Sequence, residues 1–258
     1  MAELITSKDN AWLKSLRRLA QDNQAYRKQG QVWFEGEHLI DAVLNRGASV
    51  HTLVCAQSHW PHLPTLEQSL GDRQVILPDA LFQAISGLES PSHVGVVLNL
   101  PQAPAIQPGV ATVVLDRVQD AGNVGSILRS AAAFGFKQVL ALSGTAGLWS
   151  PKVVRAGMGA HLSLNLIEGL DIEGTLSLQV PLLATSSHQG PVLHELVRES
   201  RLPHPAAWLF GHEGQGVSTA LLERATQTVR IAQPGGQESL NVAAAAAVCL
   251  HASASAGR

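Results

Sequence analysis

Residues 111–142 read ATVVLDRVQDAGNVGSILRSAAAFGFKQVLAL, and this stretch decides the fold. Ala111–Leu115 and Gln138–Leu142 are unbroken apolar runs of strand length. Between them Val124, Ile127, Leu128 and Ala131 share one stripe of a helix over Val124–Phe134. The same rhythm continues downstream. Strands are expected at Leu162–Ile167, Pro181–Thr185, Ala207–Phe210 and Thr228–Ile231. Helices are expected at Pro151–Gly157, Ile172–Leu178, Thr219–Ala225 and Leu240–Ala252. Continuous apolar strands alternating with helices predict an α/β domain with a parallel sheet covered on both faces. Ligands of such sheets sit beyond the carboxyl ends of the strands.

Upstream, Leu100–Gly109 carries three prolines and a glycine in ten positions, the composition of a linker. It separates a domain over 1–100 from one over 110–258, with 101–109 between them. The first domain reads as a smaller α/β layer. A helix is expected over Ala11–Arg27, a strand at Val32–Phe34 and a helix over Leu39–Leu44 that stops at Gly47. Strands follow at Val50–Val54, Gln74–Leu77 and Val94–Leu98, and Asp79 is placed to cap a short helix over Ala80–Ile85.

The chain has 258 residues, of which 45% are apolar and 15% charged, enough for a sizeable core and against disorder. No apolar run is long enough to span a membrane, and the start MAELITSKDNAWLK has no apolar segment behind a basic one. Cys55 and Cys249 are too few for a disulfide framework or a zinc site, so a reducing cytoplasm is the expected compartment. The net charge of −2 does not mark a nucleic-acid binder. Lys8, Lys14, Arg17, Arg18, Arg27 and Lys28 nevertheless concentrate near the start, and they fit either phosphate contact or a solvated helix face.

Three loops after strands are unusual. The first runs from Asp116 to Arg129; Gly122, Gly125, Ser126 and Arg129 fall on one helix face, bare at its start and cationic two turns on. The second is Gly211-His212-Glu213-Gly214-Gln215-Gly216, whose glycine spacing differs from the dinucleotide fingerprint. Its glycines let main chain touch a flat ligand, Ser218 reads as a helix N-cap, and His212 reads as structural. The third contains Ile231, Gln233, the pair Gly235-Gly236, then Ser239, Leu240 and Asn241 ahead of an alanine run. Ser239 is a natural N-cap, whereas Asn241 inside a helix is disfavoured.

In this order the three loops resemble the motifs of the SpoU (TrmH-type) branch of the SPOUT RNA methyltransferases. The matching segments are Asn123-x-Gly125-x-x-x-Arg129, Gly211-x-Glu213-Gly214-x-Gly216 and Ser239-Leu240-Asn241-Val242, spanning roughly residues 112–252. The first domain is similar to the L30e-like substrate-binding domain of that family, with Phe34-Glu35-Gly36-Glu37-His38 at the corresponding place. Departures are Ala121 where Pro is common, Ala232-Gln233 for Pro-Met, Ala243 for Ser, and Gly157 where Ser is frequent.

The resemblance implies a C-terminal trefoil knot and methyl transfer from S-adenosylmethionine to a ribose 2′-hydroxyl of RNA, without a metal. The RNA would be rRNA first and tRNA second. It implies Arg129 as the catalytic residue, with Asn123, Ser239, Asn241 and Glu213 around it. Leu209, Gly211, Gly216, Ile231, Gln233 and Leu240 would hold the cofactor, largely through main chain. It also implies a homodimer through the knotted domain, near helix 240–252. The rival readings are a non-catalytic RNA-binding or ribosome-assembly protein of the same fold and a nucleotide-dependent oxidoreductase, the latter disfavoured by the glycine spacing.

Overall fold

The computed structural model describes residues 2–88, 90–102, 104–235 and 239–256, without the side chains of Thr65 and Leu66. Gly236, read above as half of a glycine pair, lies with Gln237 and Glu238 outside the described residues. The chain divides into two compact units, Met1–Gln102 with Trp149–Leu162, and Ala103–Leu148 with Ser163–Arg258.

In the first unit the elements are β1 (Glu3–Leu4), α1 (Ala11–Gln21), α2 (Ala25–Gln29), β2 (Gln31–Glu35) and α3 (Glu37–Arg46). They continue as β3 (Thr52–Ala56), α4 (Thr65–Gln68), β4 (Arg73–Leu77), α5 (Asp79–Ile85) and β5 (Val94–Asn99). The sheet order is β1-β4-β3-β5-β2, with β5 antiparallel to both neighbours. Trp33, Phe34, Leu53, Val54 and Phe82 are buried in it. Gly95 is required because a Cβ there would stand 2.2 Å from the Trp33 ring. In the Phe34-Glu35-Gly36 stretch, Glu35 gathers the 86–92 loop by accepting from Ser86 Oγ and from the N–H groups of Gly87 and Ser92.

Two expectations need correction here. The helix expected over Ala11–Arg27 is two helices, because Asp22 turns extended and its Oδ1 accepts from Gln24 N at 2.8 Å. That local bond competes with helix continuation. Asp79 does not cap α5; its Oδ1 accepts from Ser58 N at 3.0 Å, and Pro78 holds the cap position. The two-residue strand β1 was not foreseen, being too short to show a period. The stop at Gly47 is met by a left-handed residue with φ 60.

The second unit contains β6 (Thr112–Asp116), α6 (Ala121–Ala133) and β7 (Gln138–Leu142). Next comes α7 (Pro151–Gly157), which belongs to the first unit; Val153 and Val154 are buried, and the helix packs on β2 and α1. Then follow β8 (Asn165–Leu170), β9 (Leu182–Ser186), α8 (Leu193–Arg198), β10 (Ala207–Gly211), α9 (Thr219–Leu222), β11 (Gln227–Arg230) and α10 (Val242–Ala256). The expected strands form one six-stranded sheet in the order β11-β9-β10-β6-β7-β8, with every pairing parallel. β8 begins later than expected because Ala160–Ser163 winds into a 3-10 turn, and α8 was not anticipated.

Parallel strands end on one edge, so the loops after β6, β9, β10 and β11 emerge side by side. Strand order runs outward through β7 and β8 on one side of β6, and through β10, β9 and β11 on the other. The crevice between β6 and β10 is therefore the switch point where such sheets bind ligands. The helix α10 packs on α6 and β10 and is tied to the latter by Trp208, whose Nε1 donates to Ser253 Oγ at 2.8 Å, both side chains being buried.

Candidate active site

The first loop begins at Asp116, the last residue of β6. Asp116 is buried and accepts from Arg117 Nε at 2.9 Å and from Ser218 N at 2.6 Å. Burial would raise its pKa, but the bonds from Arg117 and Ser218 outweigh this and hold it below the ordinary carboxylate value. Arg117 takes a left-handed backbone with φ 58 and also donates from Nη1 to Gln215 Oε1 at 2.9 Å. One ion pair thus fastens the second loop at both its tip and its exit. Ser218 sits at the N-cap position of α9, but its side chain makes no capping bond.

The α6 helix starts earlier than expected, with Asp120 as N-cap accepting from Asn123 N at 2.7 Å. Ala121 is its first residue. The N–H of that position has no helical acceptor, so alanine replaces proline there without cost in hydrogen bonds.

In the second loop, a Cβ on Gly211 would lie 2.0 Å from the Gly216 backbone, so only glycine permits this doubling back. The turn is closed by Gly216 N donating to His212 O at 2.8 Å. His212 Nδ1 accepts from Gly214 N and Gln215 N, which makes the ring a brace of the turn and puts its proton on Nε2.

Glu213 reaches the other way. Its carboxylate accepts from Gln119 N, Asp120 N and Asn123 Nδ2 at 3.3, 3.1 and 3.1 Å. Burial pushes its pKa up, but the bond from Asn123 and those from backbone N–H groups prevail and hold it low.

The third loop departs from expectation. The helix begins at Val242, and Asn241, not Ser239, caps it: Asn241 Oδ1 accepts from Ala243 N and Ala244 N at 2.9 and 3.2 Å. The disfavoured interior asparagine is therefore not interior. Its Nδ2 donates to Asn123 Oδ1 at 2.9 Å. An unbroken chain of bonds runs from the start of α10 through Asn241, Asn123 and Glu213 to the backbone of the first loop. Each amide's orientation is fixed by its neighbour, since both Asn241 Oδ1 and the Glu213 carboxylate can only accept.

The second and third loops, with the segment after β9, surround a cavity of about 670 Å³; no residue of the first loop lines it, so Asn123 lies outside the lining. Gly211, Glu213, Gly216, Ile231, Gln233, Ser239, Leu240 and Asn241 line it, which brings most of the anticipated residues to one wall. Leu209 is not among the lining residues: it is fully buried in β10, where its carbonyl accepts from Thr185 Oγ1 at 2.9 Å. Arg129 lies outside the lining too, exposed on α6 and with no hydrogen-bond or ion-pair partner among the described residues. The remaining wall, Thr185 through Gln189, was missed. Its position after a parallel strand was the available signal; its composition offered none. Ser186 Oγ shapes that wall by accepting from His188 N and Gln189 N. Among the described residues no group of three or more His, Cys, Asp or Glu side chains is arranged to hold a metal.

A model of the SpoU rRNA methylase family matches residues 111–251. An uncharacterised tRNA/rRNA methyltransferase of Synechocystis sp. is 32% identical over 260 residues, covering 96% of this chain and 92% of the relative. The 23S rRNA (guanosine(2553)-2′-O)-methyltransferase RlmP of Bacillus subtilis is 27% identical, covering 87% and 88%. Among solved structures, a TrmH-family protein from Porphyromonas gingivalis matches with TM-score 0.79 at 30% identity, covering 96% of this chain and 98% of that one. An AdoMet-bound rRNA methyltransferase from Sinorhizobium meliloti matches with TM-score 0.80 at 26% identity, covering 98% and 97%. The likeness extends over almost the whole chain and includes each of the three loops; the chain belongs to the SpoU rRNA methylase family and is an RNA methyltransferase.

Proposed function

We propose that the chain methylates a ribose 2′-hydroxyl of RNA with S-adenosylmethionine as donor, and that the RNA is ribosomal. The observation that carries this is the Asn241–Asn123–Glu213 chain, which ties the first family loop to the second and third, the two that line the cavity. The names of the B. subtilis and S. meliloti relatives support rRNA and this donor.

The residues present suit that cofactor. A cavity of about 670 Å³ falls within the roughly 300–1,000 Å³ usual for small-molecule sites. Gly211, Gly214 and Gly216 expose main chain along its wall, and a Cβ at Gly216 would meet only open space.

The cofactor supplies an electrophilic methyl group on a sulfonium. The chain's part is to hold the 2′-oxygen in line and keep it reactive, which is mainly positioning. Arg129 is exposed and unpaired among the described residues, so its guanidinium is free for the 2′-oxygen and the adjoining phosphate. A guanidinium does not give up its proton in proteins, so Arg129 is an electrostatic and orienting group and not a free base. Asn123 and Glu213 fix the loop that leads into Arg129's helix, while Ser239 and Asn241 present the α10 end of the cavity. The knot, a dimer through α10 and a cytoplasmic location belong to the same reading. Val248, 44% exposed, and the small residues beside it give α10 a slim face suited to a second copy. No helix among the described residues is long and apolar enough to cross a membrane.

The test is Arg129→Ala. It abolishes methyl incorporation into rRNA while leaving cofactor binding by calorimetry intact. Near-normal turnover by that variant would sink the assignment. Mapping 2′-O-methyl nucleotides in rRNA and tRNA, with and without the gene, distinguishes the two substrates. A wild-type chain that binds RNA but not the cofactor would favour the non-catalytic reading.

A further inference from the structure

The segment after β9 lines one side of the cavity as far as Gln189, and the third loop lines another from Ile231. Arg230, the last residue of β11, stands where the two meet. It pairs with Ser186 at the end of β9 and also bridges to Val192, so residues 187–191 leave Arg230 and return to it as an arch. At the returning foot the Arg230 N–H donates to Pro191 O and its Nε donates to Gly190 O, both at 3.1 Å. Gly190 itself sits hard against β11: at φ 91, a Cβ there would stand 2.1 Å from Thr228 O. At the departing foot Ser186 Oγ accepts from His188 N and Gln189 N. Ser187 through Gly190 are exposed, so these ties, more than packing, set where the arch stands. Among the described residues no carboxylate pairs with the Arg230 guanidinium. Its bond to Gly190 is therefore the task the structure records for it, and a charged donor makes that bond stronger than a neutral one would.

We infer, on the S-adenosylmethionine reading of the cavity, that Arg230 is a positioning residue: through the Gly190 carbonyl it holds the arch against β11 and so presets the gap between the arch and the third loop. It acts without touching the cofactor or the reacting atoms. A wall already held in place spares the ligand the cost of ordering it. With the tie gone, that cost falls on cofactor affinity, while the complex once formed keeps its geometry. Asn123 bonds to Glu213 and Asn241 and not to the arch, so the first loop stays as it was. The loss therefore appears in KM for the cofactor and not in kcat.

The experiment uses the full chain, with Arg230→Met to keep the apolar stem and remove the donor. Calorimetry with S-adenosylhomocysteine is expected to show about fivefold weaker binding, the worth of one hydrogen bond. KM for S-adenosylmethionine rises by the same factor, and kcat on rRNA stays within about twofold of wild type. Arg230→Lys, whose ammonium can still donate to the carbonyl, recovers most of the affinity. A double-mutant cycle separates positioning from an independent effect. Gly190→Ala forces the arch off β11 by itself, so adding Arg230→Met to it weakens binding by less than about twofold further. Three results overturn the inference: Arg230→Met binding as wild type does, the two substitutions multiplying in full, or kcat, affinity and melting temperature falling together, as general loosening would produce. If the unmodified chain fails to bind S-adenosylhomocysteine at millimolar concentration, the cofactor reading itself falls, and this inference with it.

Discussion

Asn241 Nδ2 donates to Asn123 Oδ1 at 2.9 Å across 118 positions of sequence, while its own Oδ1 caps the final helix. One side chain thus performs a local task and a long-range one, and the two can be separated. Asn241→Asp keeps the capping oxygen, and its charge suits a helix N-terminus. It cannot donate to Asn123. Stability of Asn241→Asp is expected to stay within about 0.5 kcal/mol of wild type, with turnover on rRNA at least tenfold lower. Asn241→Ala loses both tasks and about 1 kcal/mol from the cap alone. Urea unfolding beside methylation assays checks the pair.

Glu213 gives a pH dependence of defined sign. Its folded pKa lies below the ordinary 4.5. Its contribution is therefore complete above that value and is lost as pH falls through the folded pKa. Stability measured from pH 5 downward should decline less steeply in Glu213→Gln than in wild type. Equal slopes would mean that the carboxylate's bonds add nothing to the folded state.

Arg117 holds the second loop through Asp116 and Gln215. Removing it leaves a buried carboxylate with the Ser218 N–H as its remaining bonded partner, a loss of about 1.5–3 kcal/mol for a hydrogen bond to a charged group. Because Gln215 is released as well, KM for S-adenosylmethionine should rise more than kcat falls in Arg117→Ala. Arg117→Lys should recover part of the stability, since one charge can still reach Asp116, but not the forked contact.

Gly211→Ala places a methyl within 2.0 Å of the Gly216 backbone. The loop must open to admit it, so cofactor affinity is expected to fall by at least a hundredfold. The cost in stability should be roughly 1–3 kcal/mol, as for other overpacked sites. Calorimetry and thermal melting report the two effects separately.

The inner strands β6, β7 and β10 of the second unit were readable because each is buried along its whole length and is therefore largely apolar. Their order was not, since crossovers determine which strands become neighbours and leave no local trace. The glycine-bearing loops announced themselves by composition. The wall formed by Ser186, Ser187, His188 and Gln189 did not, because its residues are ordinary for a turn and gain meaning from lying beside β10. Asn241 was misread as interior because the helix boundary was placed two residues early, at Leu240, and boundaries depend on which side chain wins the cap. The break at Asp22 has the same origin: an aspartate that bonds its own neighbouring backbone outweighs the apolar period running past it.

The helix α7 is encoded after β6, α6 and β7 yet packs on β2 and α1. During synthesis the first unit must therefore wait, its apolar faces on those elements bare, until residues that follow the first two strands of the second sheet have left the ribosome. Neither unit can be completed and set aside before the other is begun. A fragment cut at the proline-rich linker would carry a permanent version of that transient exposed state.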